Sequence, residues 1–127
     1  MATVSSTTPQ AVGSFTIPWA SIRELLPDSR WALWASGWGL CAGSYTMALA
    51  YQKDDSSMVT IGSQTFPAAG GYVKRQIGPY AARGTLAPTV PLEAIPSYVL
   101  LASVADGASP VTLLNWTCWL RMTPRNT

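Results

Sequence analysis

The chain has 127 residues, of which 48% are hydrophobic and only 11% charged, and a formal net charge of +2. That length sets a single domain over 1–127, able to bury an ordinary core without disulfides or metals. The absence of histidine removes Ser-His-Asp and Cys-His catalysis and histidine-ligated zinc, and no stretch approaches the ~20 apolar residues of a membrane helix.

Residues 1–12 are rich in Ser and Thr and uncharged, which reads as a flexible arm or an edge strand. They have neither the basic nor the apolar segment of a signal peptide, so synthesis in a reducing cytosol is expected. Residues 13–17 alternate and predict a short strand, stopped by Pro18. Ser21 and Glu24 then match a capping box, with Ile22, Leu25 and Leu26 as one apolar face and Pro27 as the stop. This predicts one short helix within 21–26. Residues 31–35 predict a strand with large side chains on both faces, followed over 36–43 by a stretch that glycine and serine break up.

Residues 44–51 alternate cleanly. Tyr45, Met47, Leu49 and Tyr51 point one way; Ser44, Thr46, Ala48 and Ala50 point the other, a small face that leaves room for another layer. Residues 52–57 form a loop. Short strands are predicted at 58–61, 64–66, 72–77 and 85–90, punctuated by Pro and Gly. Two strands, 98–104 and 111–122, close the chain around a polar turn. In the last strand Leu114, Trp116, Cys118, Leu120 and Met122 are in phase, so Leu114, Trp116 and Cys118 are expected in the core with Leu100. Thr112 shares that phase and marks where the strand leaves the core, unless a bulge resets the alternation. About eight short strands, many prolines and glycines and one helix predict an all-β chain, an antiparallel β-sandwich of the jelly-roll kind with one short helix.

A typical soluble domain is about 25% charged. The low charge here implies that much of the surface is covered, by copies of the chain or by a partner. The eight Lys and Arg residues form no cluster beyond Lys74-Arg75, so no nucleic-acid groove stands out. Cys41 and Cys118 both sit in apolar contexts and read as buried free thiols, a disulfide requiring that their strands be neighbours. Asp54-Asp55 reads as turn chemistry, and Glu24 with Asp28 has no partner base. No catalytic, metal or cofactor site is therefore expected. Asn115-Trp116-Thr117 is formally a glycosylation sequon, but mid-strand rather than on a loop.

From Gly13 onward the pattern resembles the coat proteins of small icosahedral RNA viruses, the tymovirus type above all. The matching pieces are Ser14-Phe-Thr-Ile17, the helix from Ile22 to Leu26, Arg30-Trp-Ala-Leu-Trp34, the alternating strand from Tyr45 to Tyr51 with its polar loop, Gly70-Gly71, and the two-strand unit from Tyr98 to Pro124. The likeness covers about 110 residues and is one of pattern, not of a diagnostic motif. Like the tymovirus type, the chain lacks a basic N-terminal arm. The resemblance implies a jelly roll that self-assembles into an icosahedral shell enclosing RNA, a structural protein of the virion made in the host cytoplasm, with no enzymatic activity and no membrane partner. In that setting Lys74, Arg75, Arg83, Arg121 and Arg125 are candidates to face RNA, as against ordinary solvated charges. The alternative is a lectin-like module. Six tryptophans, with Trp31, Trp34 and Trp38 close together and Trp116 near Trp119, could stack on sugar faces, with Asn115 and Gln64 as polar neighbours.

Overall fold

The computed structural model describes residues 2–15, 29–52, 57–81 and 98–124. Eight strands run through them: β1 (Ala2–Val4), β2 (Gln10–Phe15), β3 (Ser29–Cys41), β4 (Tyr45–Gln52), β5 (Met58–Phe66), β6 (Ala69–Ala81), β7 (Tyr98–Val104) and β8 (Val111–Pro124). They form two four-stranded antiparallel sheets, sheet A in the order β1-β8-β3-β6 and sheet B in the order β2-β7-β4-β5. The chain is thus an all-β sandwich. The pairings nest: first strand with last, second with seventh, third with sixth, fourth with fifth. The helix expected within 21–26 and the strand expected at 85–90 lie outside the described residues.

β1 lies at the edge of sheet A, paired with β8. The last two strands lie in opposite sheets. The turn between them is closed by Ser109 N donating to Asp106 O at 2.9 Å and Ala108 N donating to Asp106 Oδ1 at 3.0 Å.

The core lies between the sheets. β4 supplies Tyr45, Met47, Leu49 and Tyr51, all buried, as its alternation requires. β7 adds Tyr98, Leu100, Ala102 and Val104, and sheet A answers with Val4, Leu33, Ala35, Ile77, Val111 and Leu113. The small face of β4 is buried as well: Ala48 and Ala50 form a second cluster with Val99 and Leu101, their register neighbours on β7. The centre of sheet B is therefore covered on both faces.

Two expectations are corrected. β3 does not break at residue 36; it continues to Cys41. Its inner face reads Leu33, Ala35, Gly37, Gly39, Cys41, all buried. A Cβ at Gly37 would collide with the Trp116 indole, and one at Gly39 with the Tyr45 ring. The glycines are holes for aromatic rings from other strands, not strand breakers. The segments 58–61 and 64–66 likewise merge into one strand, β5.

The second correction concerns β8. Val111 and Leu113 face the core, and Leu114 is only half-buried on the other side. Between Ser36, which pairs with Thr117, and Trp38, which pairs with Leu114, β8 has one residue more than β3. That is a β-bulge. Asn115 sits in it with φ 54°, in the left-handed region that Asn tolerates better than most residues. Beyond the bulge Trp116 and Cys118 turn inward and pack against the core as half-buried side chains. The Trp116 indole lies over Gly37, and its Nε1 donates to the Trp38 carbonyl at 3.0 Å.

Two substitutions test this account by denaturant unfolding. Asn115→Val, a β-branched residue forced to positive φ, should cost about 1–3 kcal/mol, whereas Asn115→Gly should be close to neutral. Gly37→Ala should cost about 1–3 kcal/mol through overpacking. Most of that cost should disappear in a Trp116→Ala background, since the two sites are in contact. Equal costs in both backgrounds would mean that the indole does not fill the space over Gly37.

Candidate functional site

Among the described residues, the exposed aromatic side chains lie on the outer face of sheet A. Because Leu33 and Ala35 are buried, Trp34, Ser36 and Trp38 point outward along β3. The bulge brings Thr117 and Trp119 of β8 onto the same face, opposite Ser36 and Trp34. On β6, Lys74 pairs with Trp38 and Gln76 with Ser36. Three rows result, spaced about 7 Å apart by the strand rise: Leu114–Trp38–Lys74, then Thr117–Ser36–Gln76, then Trp119–Trp34. Trp38 is 40% exposed, Trp119 37%, and Tyr72, two residues before Lys74, 41%. Trp34 and Trp119 lie parallel, their planes 1° apart and their centroids at 6.0 Å. The Trp34 Nε1 is buried with no hydrogen-bond partner among the described residues.

The charges are partitioned by sheet. The strands of sheet B contain no Asp, Glu, Lys or Arg. The strands of sheet A contain Arg30, Lys74, Arg75 and Arg121, and no carboxylate. All six acidic residues of the chain fall outside the eight strands.

The residues expected to face RNA do not form one group. Lys74 is exposed on the aromatic face. Arg75, its neighbour, turns the other way by strand alternation, beside Gly37. Its guanidinium stands over the Phe66 ring, 5.3 Å from the centroid, and its Nε is buried. Phe66 in turn packs on Tyr45 at 5.4 Å. Burial raises the Tyr45 phenol above its ordinary pKa, and the Arg75 charge partly offsets this. Arg121 occupies the register position opposite Ala32, while Arg83 and Arg125 lie outside the described residues. The sequence reading missed Trp38 with Lys74 as a pair; Trp34 and Trp38, four apart in one strand, were the available signal.

The tryptophans divide. Trp116 is an internal anchor, and Trp38 and Trp119 present ring surface to solvent. The two polar neighbours named for a sugar site are apart: Asn115 is in the bulge of β8, and Gln64 is on β5 of the other sheet.

The cysteines offer no reactive centre. Cys118 pairs with Ala35 and Cys41 with Val111, six positions apart along β3. That is about 20 Å, against the ~4.4–6.8 Å that a disulfide spans. Cys41 is buried and donates to the Ser109 carbonyl at 3.2 Å. Burial pushes the Cys118 thiol from 9.0 up to about 11, so it is protonated at neutral pH and a poor nucleophile. Among the described residues no group of three or more His, Cys, Asp or Glu could hold a metal ion. Among the described residues no helix is long and apolar enough to cross a membrane. A dish of ≈ 540 Å³, lined by Leu40, Ala42, Ala69, Pro110 and Thr112, opens at one end of sheet A, and a cavity of ≈ 130 Å³ lies by Thr46, Thr60 and Ser103 of sheet B. Among the described residues neither is lined by an acidic or basic side chain, and Cys41 borders the larger.

Comparison of the chain with protein-family models, with curated proteins and with solved structures finds no match.

The raised thiol gives a test. With its pKa about two units high, Cys118 should react with a thiol reagent at pH 8 roughly 100-fold more slowly in the native protein than in the unfolded chain. Because the folded state favours the neutral thiol, its contribution to stability is intact below about pH 9 and lost as pH rises through about 11. Site-resolved mass spectrometry of labelled protein reads the rate; native labelling as fast as unfolded labelling would show that burial does not protect the group.

Proposed function

We propose that the sandwich is a jelly roll and that the chain is a structural coat protein, a subunit that self-assembles into an icosahedral shell enclosing RNA. The nested order β1-β8-β3-β6 over β2-β7-β4-β5 carries the reading. An antiparallel ribbon of four strand pairs, rolled up once, gives this order, and the jelly roll is a common architecture of viral capsid and lectin domains. The low charge supports self-association over life as a free monomer. So does the exposed aromatic face, since Trp and Tyr are the side chains that most often anchor interfaces. Closed symmetric assembly is the usual way for one subunit to hide such surface. The reading gives the chain no catalytic step and no cofactor, a place in the virion, and synthesis in the host cytoplasm.

A second reading has its own observation. Trp38 and Trp119 present open ring surface on one sheet face, with Ser36, Thr117 and Gln76 between them. A lectin-like module would stack sugar on those rings.

Sedimentation and negative-stain microscopy of nuclease-treated protein at low and high salt separate the two. For a coat held together by subunit contacts, shells or large rings should form without nucleic acid and persist at high salt. A shell held by phosphate contacts should weaken steeply with salt, each contact adding close to one unit to the log–log slope. A monomer under every condition that binds glycans would favour the lectin reading and overturn the coat reading.

A further inference from the structure

We infer that the outer face of sheet A binds single-stranded RNA, with bases stacked on Trp38, Tyr72 and Trp119 and Lys74 on a phosphate. The choice of RNA as ligand rests on the coat reading; the chemistry of the face argues for an unpaired polynucleotide. Non-specific single-strand binding needs two things: aromatic rings with open π-faces, and cations to track the backbone. Both are here in one cross-strand unit. Trp38 and Lys74 are register partners, so a base on the indole places its phosphate within reach of the ammonium. Tyr72 lies two residues along the same strand, and Trp119, backed by the parallel Trp34 ring, lies two rows away. Ser36, Thr117 and Gln76 between them supply hydrogen-bonding groups for base edges and ribose hydroxyls.

Electrostatics selects this ligand over the others. No carboxylate stands in any strand of sheet A, and Lys74 presents its charge on this face while Arg75 turns to the other. A phosphate chain meets no repulsion from those strands. A sugar meets no acidic acceptor for its hydroxyls, and a second copy of the same face brings cation against cation, Lys74 against Lys74. A duplex is excluded as a tight ligand because its bases are already stacked and their faces closed.

The test uses the full-length protein, a single-stranded RNA 20-mer and the corresponding duplex, with tryptophan fluorescence as the readout over a range of salt. The single strand should bind and quench, and the duplex should bind at least tenfold more weakly. Trp38→Ala should lower single-strand affinity by about 5- to 100-fold, and Trp38→Phe should recover most of the loss. Lys74→Gln should reduce the salt slope by about 0.7. Both side chains are exposed, and the bond from Trp116 goes to the Trp38 backbone, so the fold should persist; circular dichroism and thermal melting check it.

Sedimentation of the same variants keeps this inference apart from the coat reading. Wild type that stays monomeric yet loses RNA affinity with Trp38→Ala sustains the inference while the coat reading falls. Unchanged affinity in folded Trp38→Ala and Lys74→Gln overturns the inference, even if shells form. So does a Trp38→Ala variant that binds RNA normally but no longer assembles, because the face is then a subunit contact. Binding of glycans without RNA overturns it as well.

Discussion

The seating of the Trp116 indole over Gly37, tied to the Trp38 carbonyl, governs what both faces of sheet A contain. It goes with one extra residue in β8 and a left-handed Asn115. In an unbroken alternation, Val111 and Leu113 inward would carry Asn115, Thr117 and Trp119 inward too. Trp119 would then face inward opposite Leu33, and Trp116 and Cys118 would point to solvent. The bulge reverses this. It provides the core with an anchor whose only polar atom is satisfied, and releases Trp119 to lie against Trp34. One residue of local irregularity thus decides which tryptophans hold the fold and which are free to meet something else.

Where the fold was legible, the signal was local. The faces of β4 follow from alternation and the span of β7 from its short apolar run, and the burial of Ala48 and Ala50 agrees with the smallness of that face of β4. Where the reading failed, the deciding partner was far away in the chain. Gly37 and Gly39 resemble breakers because their sequence neighbours say nothing of Trp116, 79 residues beyond Gly37, or of the Tyr45 ring that crosses from the other sheet. Thr112 did hint at a reset of phase in β8, but a bulge depends on the register with β3, which composition does not reveal. The helix at 21–26 and two of the five basic candidates fall outside the described residues.

The candidate face shows the same limit. Lys74-Arg75 reads as one basic spot, yet a period of two sends the residues to opposite sides of the sheet, one to the open aromatic face and one to a ring inside. The partition of charge became visible only with strand boundaries in hand. Once they are drawn, sheet B is uncharged along its strands and sheet A is purely cationic. Along the strands alone, the two layers differ in charge, and it is the sheet A strands that favour a polyanion.

The nested strand order also sets a timetable. In each sheet an inner strand comes from the last third of the chain: β7 lies between β2 and β4, and β8 between β1 and β3. During synthesis, then, β2 and β4 wait for residues 98–104, and β1 and β3 for residues 111–124, before they can be joined. Until those residues leave the ribosome, only β4 with β5 and β3 with β6 can pair. Pairings of such long sequence separation place folding in the millisecond-to-second regime of high-contact-order β proteins. Through that interval apolar edges stay open to other chains. At high local concentration of nascent copies, as on a polysome, a subunit of this topology is exposed to its neighbours before it is finished.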